Sequence, residues 1–455
     1  MILRARYVLP ITSPLIRDGA VRVVGQTITD VGPAADIIAR YPQEAVSDFG
    51  KAALLPGFID THTNLEHSVI RASELDVPFA DWTKTMIRHA AKLGPDDWYA
   101  SAVLGGLEAL SCGITCVANT SATGAAVGVM RDLGMRGIVY REVAAAKKDM
   151  VQAAMDKAEE DVLSWMCDVD GERVRVGVMP GSLYSCHPAI LSQVAQLATR
   201  EGLQLAIHVA GSKEEFNFIR YGSSAFKIHD GDSPIEATVT LPWLPSGTSP
   251  VRYAVNWGAF DAPNVVAVHC VHVDDEDVRM MKSYDVAACI CSRTNAQLGM
   301  GVAPILSLHR AGLRMGFGSD SLAATDSIDM FTQMRTGMLI QRAVDADSRA
   351  FMDSATALRM ATIGAARALR LDDRVGSLEA GKDADIIAVD VSRLHLGPES
   401  DPVPGLVNTC AGTDVTMTMV AGKKIYEKDN WNVDIPLARS LARVFETRRK
   451  LREGE

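Results

Sequence analysis

Apolar and polar positions follow two different patterns along the chain, and the pattern changes near residue 54. Residues 2–9 and 20–31 alternate in the manner of short β-strands, with glycine and proline between them. From Leu54 onward, β-rich apolar runs lead into longer stretches whose apolar positions recur every three or four residues, the period of an amphipathic helix. Eight such runs occur, at residues 54–62, 113–120, 136–143, 173–181, 203–210, 264–272, 286–292 and 314–320.

Eight units of a strand followed by a helix predict an α/β fold, and the simplest such arrangement is a (β/α)8 barrel of the TIM type. The run from Val265 to Val268 is continuously apolar, as expected for a strand in a parallel sheet that is covered on both faces. The helices between the strands are predicted most clearly at residues 95–110, 189–200, 274–284 and 305–311.

Both ends of the chain are rich in β-pattern. After helices predicted at 328–343 and 349–369, strands are predicted at 386–390 and 414–421. We therefore expect the two terminal segments to form one small β-sandwich, with the barrel inserted in it. The predicted domains are 1–55 and 372–455 for the sandwich, the second including a terminal helix at 437–451, and 56–371 for the barrel.

The sequence also predicts roles for the terminal helix and for a long loop. The terminal helix has an apolar face that packs on the barrel or, as the alternative, binds a partner. Residues 230–250 are rich in proline, glycine, serine and threonine, which predicts a long loop over the barrel mouth and a candidate lid.

Composition excludes several kinds of partner. A net charge of −10, with no Lys/Arg cluster before the C-terminus, argues against binding nucleic acid. The N-terminus lacks a signal-peptide core and no apolar run approaches the length of a membrane span, so we expect a cytoplasmic protein without a membrane partner. The eight cysteines lie mostly in apolar runs and form no CxxC pair, which favours buried reduced thiols over disulfides or a sulfur-ligated metal.

Polar residues end four of the eight predicted strands, where a TIM-type barrel carries its chemistry. The residues at these ends are His62, Asn64, His208, His269 and Asp320. Taken singly, each histidine is more simply a partner of a backbone group, and Asp320 a helix cap. Together, imidazoles and one carboxylate form the ligand set that Zn²⁺ or another late first-row divalent ion prefers. Such an ion activates water, and Asp320 can accept the released proton, which predicts a hydrolase.

At this point the sequence resembles the amidohydrolase superfamily, specifically its deaminase and chlorohydrolase branch, over nearly the whole chain. The motifs that carry the resemblance are Pro56-Gly-Phe-Ile-Asp-Thr-His-Thr-Asn-Leu-Glu66, Ile207-His-Val-Ala-Gly-Ser212, Val268-His-Cys-Val-His-Val273, Cys291-Ser-Arg-Thr-Asn-Ala-Gln-Leu-Gly-Met-Gly301, Gly318-Ser-Asp-Ser321 and Gly376-Ser-Leu-Glu-Ala-Gly-Lys-Asp-Ala-Asp-Ile386. Within the branch, Phe79-Ala-Asp-Trp82 and Gly137-Ile-Val-Tyr-Arg-Glu-Val143 look most like aminofutalosine deaminases.

The resemblance implies roles for particular residues. His62, His208 and Asp320 correspond to metal ligands, and His269 to the residue that contacts the metal, its water or the substrate. Asp320 is also the expected proton shuttle. Asn295, in the motif after strand seven, is expected to have a structural role, as is Arg293.

Two positions depart from the family pattern. Asn64 stands where the family has the second histidine of His-x-His, and an amide oxygen is a weaker and harder donor to zinc than imidazole. Gly211 stands where deaminases of this branch carry a glutamate that protonates a ring nitrogen of the substrate. Glu214 and Glu215 are the nearest acids that can replace it, and His67 is a further polar residue near the mouth.

These departures leave three readings open. The protein is a metal hydrolase with different chemistry, a deaminase with another acid, or a non-catalytic relative that binds a small ligand. We expect a metal-dependent hydrolase of a non-peptide C–N bond in a nitrogen-rich small molecule, deaminase-like, with aminofutalosine, adenosine-type compounds or another N-heterocycle as substrate. The expected cofactor is one divalent ion, with Zn before Fe or Mn, and the expected assembly is a homo-dimer or homo-tetramer, as in relatives.

Overall fold

The computed structural model describes residues 1–71, 76–223, 245–345, 351–392 and 401–453 of the 455. The described residues contain two nine-stranded sheets, one mixed and one parallel. Most of the predicted lid, residues 230–244, lies outside the described residues. In the described part, no helix is both long and apolar enough to cross a membrane.

The mixed sheet is built from the two ends of the chain. A sandwich strand from the N-terminal part, Ala52–Pro56, pairs antiparallel with Ile386–Asp390 from the C-terminal part, and this pairing joins the two halves. In spatial order the sheet runs Asn430–Trp431, Lys423–Glu427, Val415–Val420, Ile386–Asp390, Ala52–Pro56, Ile2–Val8, Ile16–Val24 and Thr27–Pro33, with Val46–Asp48 paired to Ile2–Val8.

The parallel sheet closes into a barrel. Its strands one to eight are Phe58–Asn64, Ile114–Ser121, Arg136–Val143, Val174–Pro180, Gln204–Val209, Val265–His269, Ala287–Ile290 and a split eighth strand, Met315–Phe317 with Asp320–Ser321. The first piece of strand eight pairs with strand seven and the second piece pairs with strand one, which completes the ring. The predicted fold class, a barrel inserted in a sandwich, is confirmed.

Most helices cover the barrel or connect its strands, and the first, Ala34–Arg40, packs on the mixed sheet. They span Ala34–Arg40, Phe79–Ala90, Pro95–Ser111, Ala125–Leu133, Val151–Asp168, Pro188–Glu201, Lys213–Tyr221, Pro250–Asn256, Asp275–Ser283, Ser292–Gln297, Ile305–Arg310, Met330–Asp345, Ser354–Met360, Ile363–Ala368, Pro402–Thr409 and Leu437–Glu453. Short 3-10 segments occur at Leu65–Ile70, Lys148–Met150 and Gly412–Asp414. The helix predicted at 349–369 is instead two short helices, broken at Ala361 and Thr362.

The first predicted run, 54–62, is in fact divided between the two sheets. The chain leaves the sandwich at Pro56 and enters the barrel at Phe58. Gly57 makes the crossing, and a Cβ at this position would lie 2.2 Å from the side chain of Thr115. Only glycine therefore lets the backbone pass this close to strand two.

A buried ion pair joins the barrel to the sandwich. Arg136, at the start of strand three, donates from Nε to Asp385 at 2.8 Å and from a second guanidinium nitrogen to the same carboxylate at 3.1 Å. The guanidinium also lies 2.9 Å from Asp383. Arg136 and Asp385 are 1% and 3% exposed, so neither charge can be solvated if its partner is removed.

The C-terminal helix packs on the barrel, as the first of the two sequence readings predicts. Its Val444 and Leu451 lie in an apolar cluster with Val69 and Ala100. Asp97 receives hydrogen bonds from Arg443, Thr447 and Lys450 of this helix. One buried carboxylate thus attaches three side chains of the terminal helix.

We expect Asp97→Asn to loosen the terminal helix. Burial raises the pKa of Asp97, but hydrogen bonds from Gly94, Thr447 and Lys450 outweigh it and hold the pKa at about 2. Because this lies below the ordinary value of 3.8, the contribution to stability is present above pH ~4 and is lost as pH falls toward 2. At neutral pH the variant should exchange the amides of Leu437–Glu453 about tenfold faster or more.

The matched control is Asp96→Asn, since Asp96 is the exposed neighbour of Asp97 at the start of the helix Pro95–Ser111. It should leave the exchange rates of the terminal helix unchanged. Equal rates in the two variants would show that the charge of Asp97 does not hold the helix.

Candidate active site

Three of the predicted residues converge at the C-terminal end of the barrel. The Nε2 atoms of His62 and His208 lie 3.1 Å apart, and Asp320 Oδ1 lies 3.5 Å from His62 Nε2. One donor atom from each of the three residues falls within 4.8 Å of the others. Strands one, five and eight supply these side chains, so residues up to 258 positions apart in sequence meet at one point.

The backbone at this end of the barrel adopts an uncommon conformation. Ala210, His269, Cys270 and Asp320 all have φ between 50° and 77°, a region that side chains other than glycine seldom occupy. Each residue lies where a barrel strand ends or has just ended. Strain of this kind persists when the surrounding structure fixes it, and it is concentrated at functional sites.

The fourth predicted histidine, His269, lies beside the cluster. Its ring is 5.3 Å from the ring of His208, centroid to centroid. Its Nδ1 donates to Asn295 Oδ1 at 2.9 Å, which leaves Nε2 as the nitrogen that can bind a ligand. Asn295 is therefore a positioning residue for His269. Cys291 is also close, because its sulfur lies within 4.8 Å of donor atoms of His269 and Asp320.

Asn64 lines the same cavity as these residues. Its Oδ1 atom is buried and has no hydrogen-bond partner among the described residues, and the same is true of His62 Nδ1. A buried polar atom without a partner is costly, and a bound ion can satisfy such an oxygen. Two imidazoles, a carboxylate and an orphaned amide oxygen therefore fit a divalent cation.

Burial also keeps the imidazoles in the form that binds metals. It lowers the pKa of His208 well below the ordinary value, with the neighbouring rings of His62 and His269 acting in the same direction. Burial lowers the pKa of His269 as well. Burial alone would raise the pKa of Asp320, but the hydrogen bond from His62 and the nearby imidazoles hold it well below its usual range. Neutral imidazoles at His208 and His269 thus lie beside an ionised carboxylate.

A cavity of about 150 Å³ opens in front of the cluster. One part of its wall is aromatic and apolar, with Phe79, Trp82, Leu298 and Met300. The other part is polar, and it consists of His62, Asn64, His67, Thr83, Thr120, Glu142, Ser182, Tyr184, His208, Glu215, His269, Thr294, Asp320 and Ser321, with Gly211 between them. An apolar wall opposite polar groups suits a flat heterocycle with hydrogen-bonding edges.

The sequence model of the Amidohydrolase family matches residues 53–425. The chain belongs to this family. It is 32% identical over 433 residues to a 5-methylthioadenosine/S-adenosylhomocysteine deaminase of Pelotomaculum thermopropionicum, with 94% of this chain and 93% of the relative covered.

Two solved structures extend the comparison. The amidohydrolase is similar to a zinc-bound adenosine deaminase from Xanthomonas campestris, with a TM-score of 0.84, 25% identity and 99% and 98% of the two chains covered. It shares its fold with a zinc complex of atrazine chlorohydrolase from Arthrobacter aurescens, with a TM-score of 0.82, 22% identity and 98% and 99% covered.

The predicted family is therefore confirmed, as is the class of reaction. The amidohydrolase is a metal-dependent hydrolase that acts on a non-peptide C–N bond of a small molecule.

The wall at Gly211 is closed by neighbouring side chains in this amidohydrolase. A Cβ at residue 211 would lie 3.1 Å from His269 Cδ2 and 3.2 Å from Met300 Cε. A larger residue there requires the side chains of His269 and Met300 to shift by a few tenths of an ångström. The space beside residue 211 is thus limited by His269 and Met300.

Glu215 lies directly behind Gly211. Its two carboxylate oxygens accept hydrogen bonds from the backbone nitrogens of Ala210 and Gly211, at 2.9 and 3.0 Å. Burial raises its pKa to about 7, against the effect of these hydrogen bonds. The carboxylate thereby clamps the loop after strand five.

Other residues singled out in the sequence lie around the cavity. His67 lines it and its Nδ1 lies 2.9 Å from Ser321 Oγ, so it is neither at the protein surface nor part of the three-residue cluster. Arg293 donates to the carbonyl of Ser327 at 2.7 Å and holds the loop after strand eight, in keeping with the structural role expected for it.

Sequence reasoning missed Glu142, Cys291 and Met300 as parts of the site. All three belong to quoted family motifs, but nothing in the sequence indicated that Glu142 and Met300 face the cavity or that Cys291 lies beside His269. Their position depends on which side of strand three and of the loop after strand seven points inward. Spacing in a single sequence does not reveal this.

Proposed function

We propose that this amidohydrolase removes the amino group of a nitrogen-rich heterocycle by hydrolysis, with His62, His208 and Asp320 as ligands of one zinc ion. The observation that carries the proposal is the convergence of these three side chains in a buried cavity at the barrel mouth. Asn64 is a further ligand through its orphaned oxygen, and His269 a ligand or contact through Nε2.

The residues of the chain have separate tasks in this reaction. A zinc ion, when bound, supplies the Lewis acidity that makes water a nucleophile near neutral pH. The carboxylate of Asp320 takes a proton from the attacking water and returns it to the departing nitrogen, so that the C–N bond breaks with release of ammonia. His269, fixed by Asn295, orients the reacting carbon. Phe79 and Trp82 cover the heterocycle and exclude water.

Several finer points belong to the same proposal. Zinc is proposed because two imidazoles and a carboxylate are its usual ligands, and because similar proteins contain it. Substrates of the adenosine type are proposed because the relatives are named for them, with aminofutalosine as a further candidate. We also propose a cytoplasmic homo-oligomer with domain boundaries at 55/56 and 371/372.

The proposal is tested by metal analysis and ammonia release on the full-length protein. We expect about one equivalent of zinc per chain after purification with zinc, and ammonia release from adenosine, 5′-methylthioadenosine or aminofutalosine. Substoichiometric metal, together with no release from the three compounds, would instead support the non-catalytic reading that the sequence left open.

We expect Asn64→His to tighten zinc binding. Imidazole is a softer and stronger donor to zinc than an amide oxygen, so the dissociation constant should fall about tenfold or more. Competition with a chromogenic chelator measures this constant. Asn430→His, at an exposed position of the sandwich, is the control and should not change it. An unchanged constant in Asn64→His removes Asn64 from the ligand set.

Restoring the family's acid requires room as well as a carboxyl group. We expect Gly211→Glu alone to lower kcat/KM, because its Cβ crowds His269 and Met300. Gly211→Glu combined with Met300→Ala should raise the deamination of adenosine, by about 10²- to 10⁴-fold if only the acid is missing. Met300→Ala is the control. If the double variant is no faster than this control, the missing acid does not limit the reaction.

A further inference from the structure

The cavity contains a carboxylate that forms no ion pair among the described residues. Glu142 lies near the end of strand three and its side chain faces the cavity. No described residue donates a hydrogen bond to its carboxylate. The neighbouring Arg141 instead donates to Asp161 at 2.8 Å and to the backbone carbonyl of Glu142. Burial raises the pKa of Glu142, and the charge of Arg141 opposes this shift without cancelling it.

Glu142 differs in this respect from the other two carboxylates of the cavity. Asp320 belongs to the ligand cluster, and both oxygens of Glu215 accept from backbone nitrogens. Glu142 is half-buried, so its carboxylate can accept a hydrogen bond from water or from a bound molecule. Glu142 is therefore the acidic group whose hydrogen bonds are left for a bound molecule.

The charges around the cavity favour one kind of molecule. Three carboxylates line it, and the described part of the wall contains no lysine or arginine. Asp320 lies with the proposed ligands of a divalent ion, and burial raises the pKa of Glu142 and that of Glu215. A phosphate or carboxylate on the substrate would thus find acidic groups and no cationic side chain in the described wall, whereas an uncharged or cationic N–H group would find a hydrogen-bond acceptor.

We propose that Glu142 accepts a hydrogen bond from an N–H group of the substrate and thereby selects uncharged or cationic nitrogen-rich molecules over anionic ones. The inference rests on the proposed function for the nature of the substrate, because every molecule that is deaminated brings an N–H donor to this cavity. Glu142 is then a specificity-determining residue on strand three, which carries none of the proposed metal ligands.

Adenosine and adenosine 5′-monophosphate form a matched pair of probes, since they differ only by the phosphate. We expect the zinc-loaded protein to bind adenosine or 5′-methylthioadenosine, and to bind the monophosphate at least about 100-fold more weakly than adenosine. Glu142→Gln, which keeps the shape and removes the charge, should weaken adenosine binding about 10- to 100-fold. Glu142→Gln should also reduce the difference between the dissociation constants of adenosine and the monophosphate. Titration calorimetry measures these constants.

The control is Glu214→Gln, because Glu214 is a nearby acid outside the cavity wall, and it should change adenosine binding less than twofold. Steady-state kinetics supply a second readout: Glu142→Gln should raise KM more than it lowers kcat. The inference is overturned if Glu142→Gln binds adenosine like the wild type, if the monophosphate binds as well as adenosine, or if neither nucleoside binds.

The two proposals fail in different ways. If Glu142-dependent binding is seen without ammonia release, the proposed function is wrong and this inference stands. If ammonia is released and Glu142→Gln has the same KM as the wild type, the proposed function stands and this inference is wrong. Metal content and the thermal midpoint, measured on the same samples, exclude a folding defect of the variant as the cause.

Discussion

Asp320→Asn should abolish catalysis and weaken metal binding together. The substitution keeps the shape of the side chain but removes the negative charge that lies 3.5 Å from His62. It also removes the group that takes a proton from water. We expect kcat to fall by at least about 10²- to 10⁴-fold, the range for loss of a general base. The zinc content after dialysis should fall well below that of the wild type.

The two losses are measured separately, by ammonia release under zinc saturation and by metal analysis after dialysis. Asp275→Asn is the control, because Asp275 is an exposed residue at the start of a helix. It should match the wild type in both assays. Wild-type turnover by Asp320→Asn at saturating zinc would remove Asp320 from the proton pathway, and unchanged zinc content would remove it from the ligand set.

Arg136→Met should produce the largest loss of stability of the substitutions considered. Methionine fills a similar volume but leaves Asp385 buried, with the backbone nitrogen of Ala421 as its remaining hydrogen-bond donor. Breaking a buried ion pair on one side costs about 3–5 kcal/mol in free energy of unfolding, because the other charge stays buried without a counter-charge. Urea denaturation followed by circular dichroism measures the change.

Arg131→Met is the matched control. Its side chain is 51% exposed and pairs with the adjacent Asp132, so its loss should cost less than about 1 kcal/mol. Adding Asp385→Asn to Arg136→Met should recover part of the lost stability, since the buried charge is then removed as well. Equal destabilisation by the Arg131 and Arg136 substitutions would mean that the contact between barrel and sandwich does not depend on the ion pair.

The architecture expected from the sequence agrees with the tertiary structure, and the reason is physical. Strand periods, helix periods and strand-end residues are local properties, and each strand of the barrel repeats them. Eight repetitions leave little freedom in the fold. The sequence placed a domain boundary at 55/56, but a continuous apolar run gives no sign that the two halves of 54–62 belong to different sheets.

The candidate site likewise contains residues that the sequence indicated and residues that only the tertiary structure identified. The sequence by itself indicated His62, His208 and Asp320, because in a parallel barrel the ends of all strands meet at one mouth. It also indicated that Asn64 and Gly211 depart from the family. Whether His67 joins the cluster, and which of Glu142 and Glu215 is left without a donor, was decided by the tertiary structure alone.

These outcomes depend on contacts between residues far apart in the chain. Glu215 is satisfied because the loop after strand five folds back over it. The carboxylate of Glu142 has no donor among the described residues because Arg141 pairs with Asp161 on the helix that follows and donates to the backbone carbonyl of Glu142. The space at Gly211 is filled by Met300, 89 positions later. The sequence determined what kind of mouth this barrel has, and long-range packing decided which groups within it remain free for a substrate.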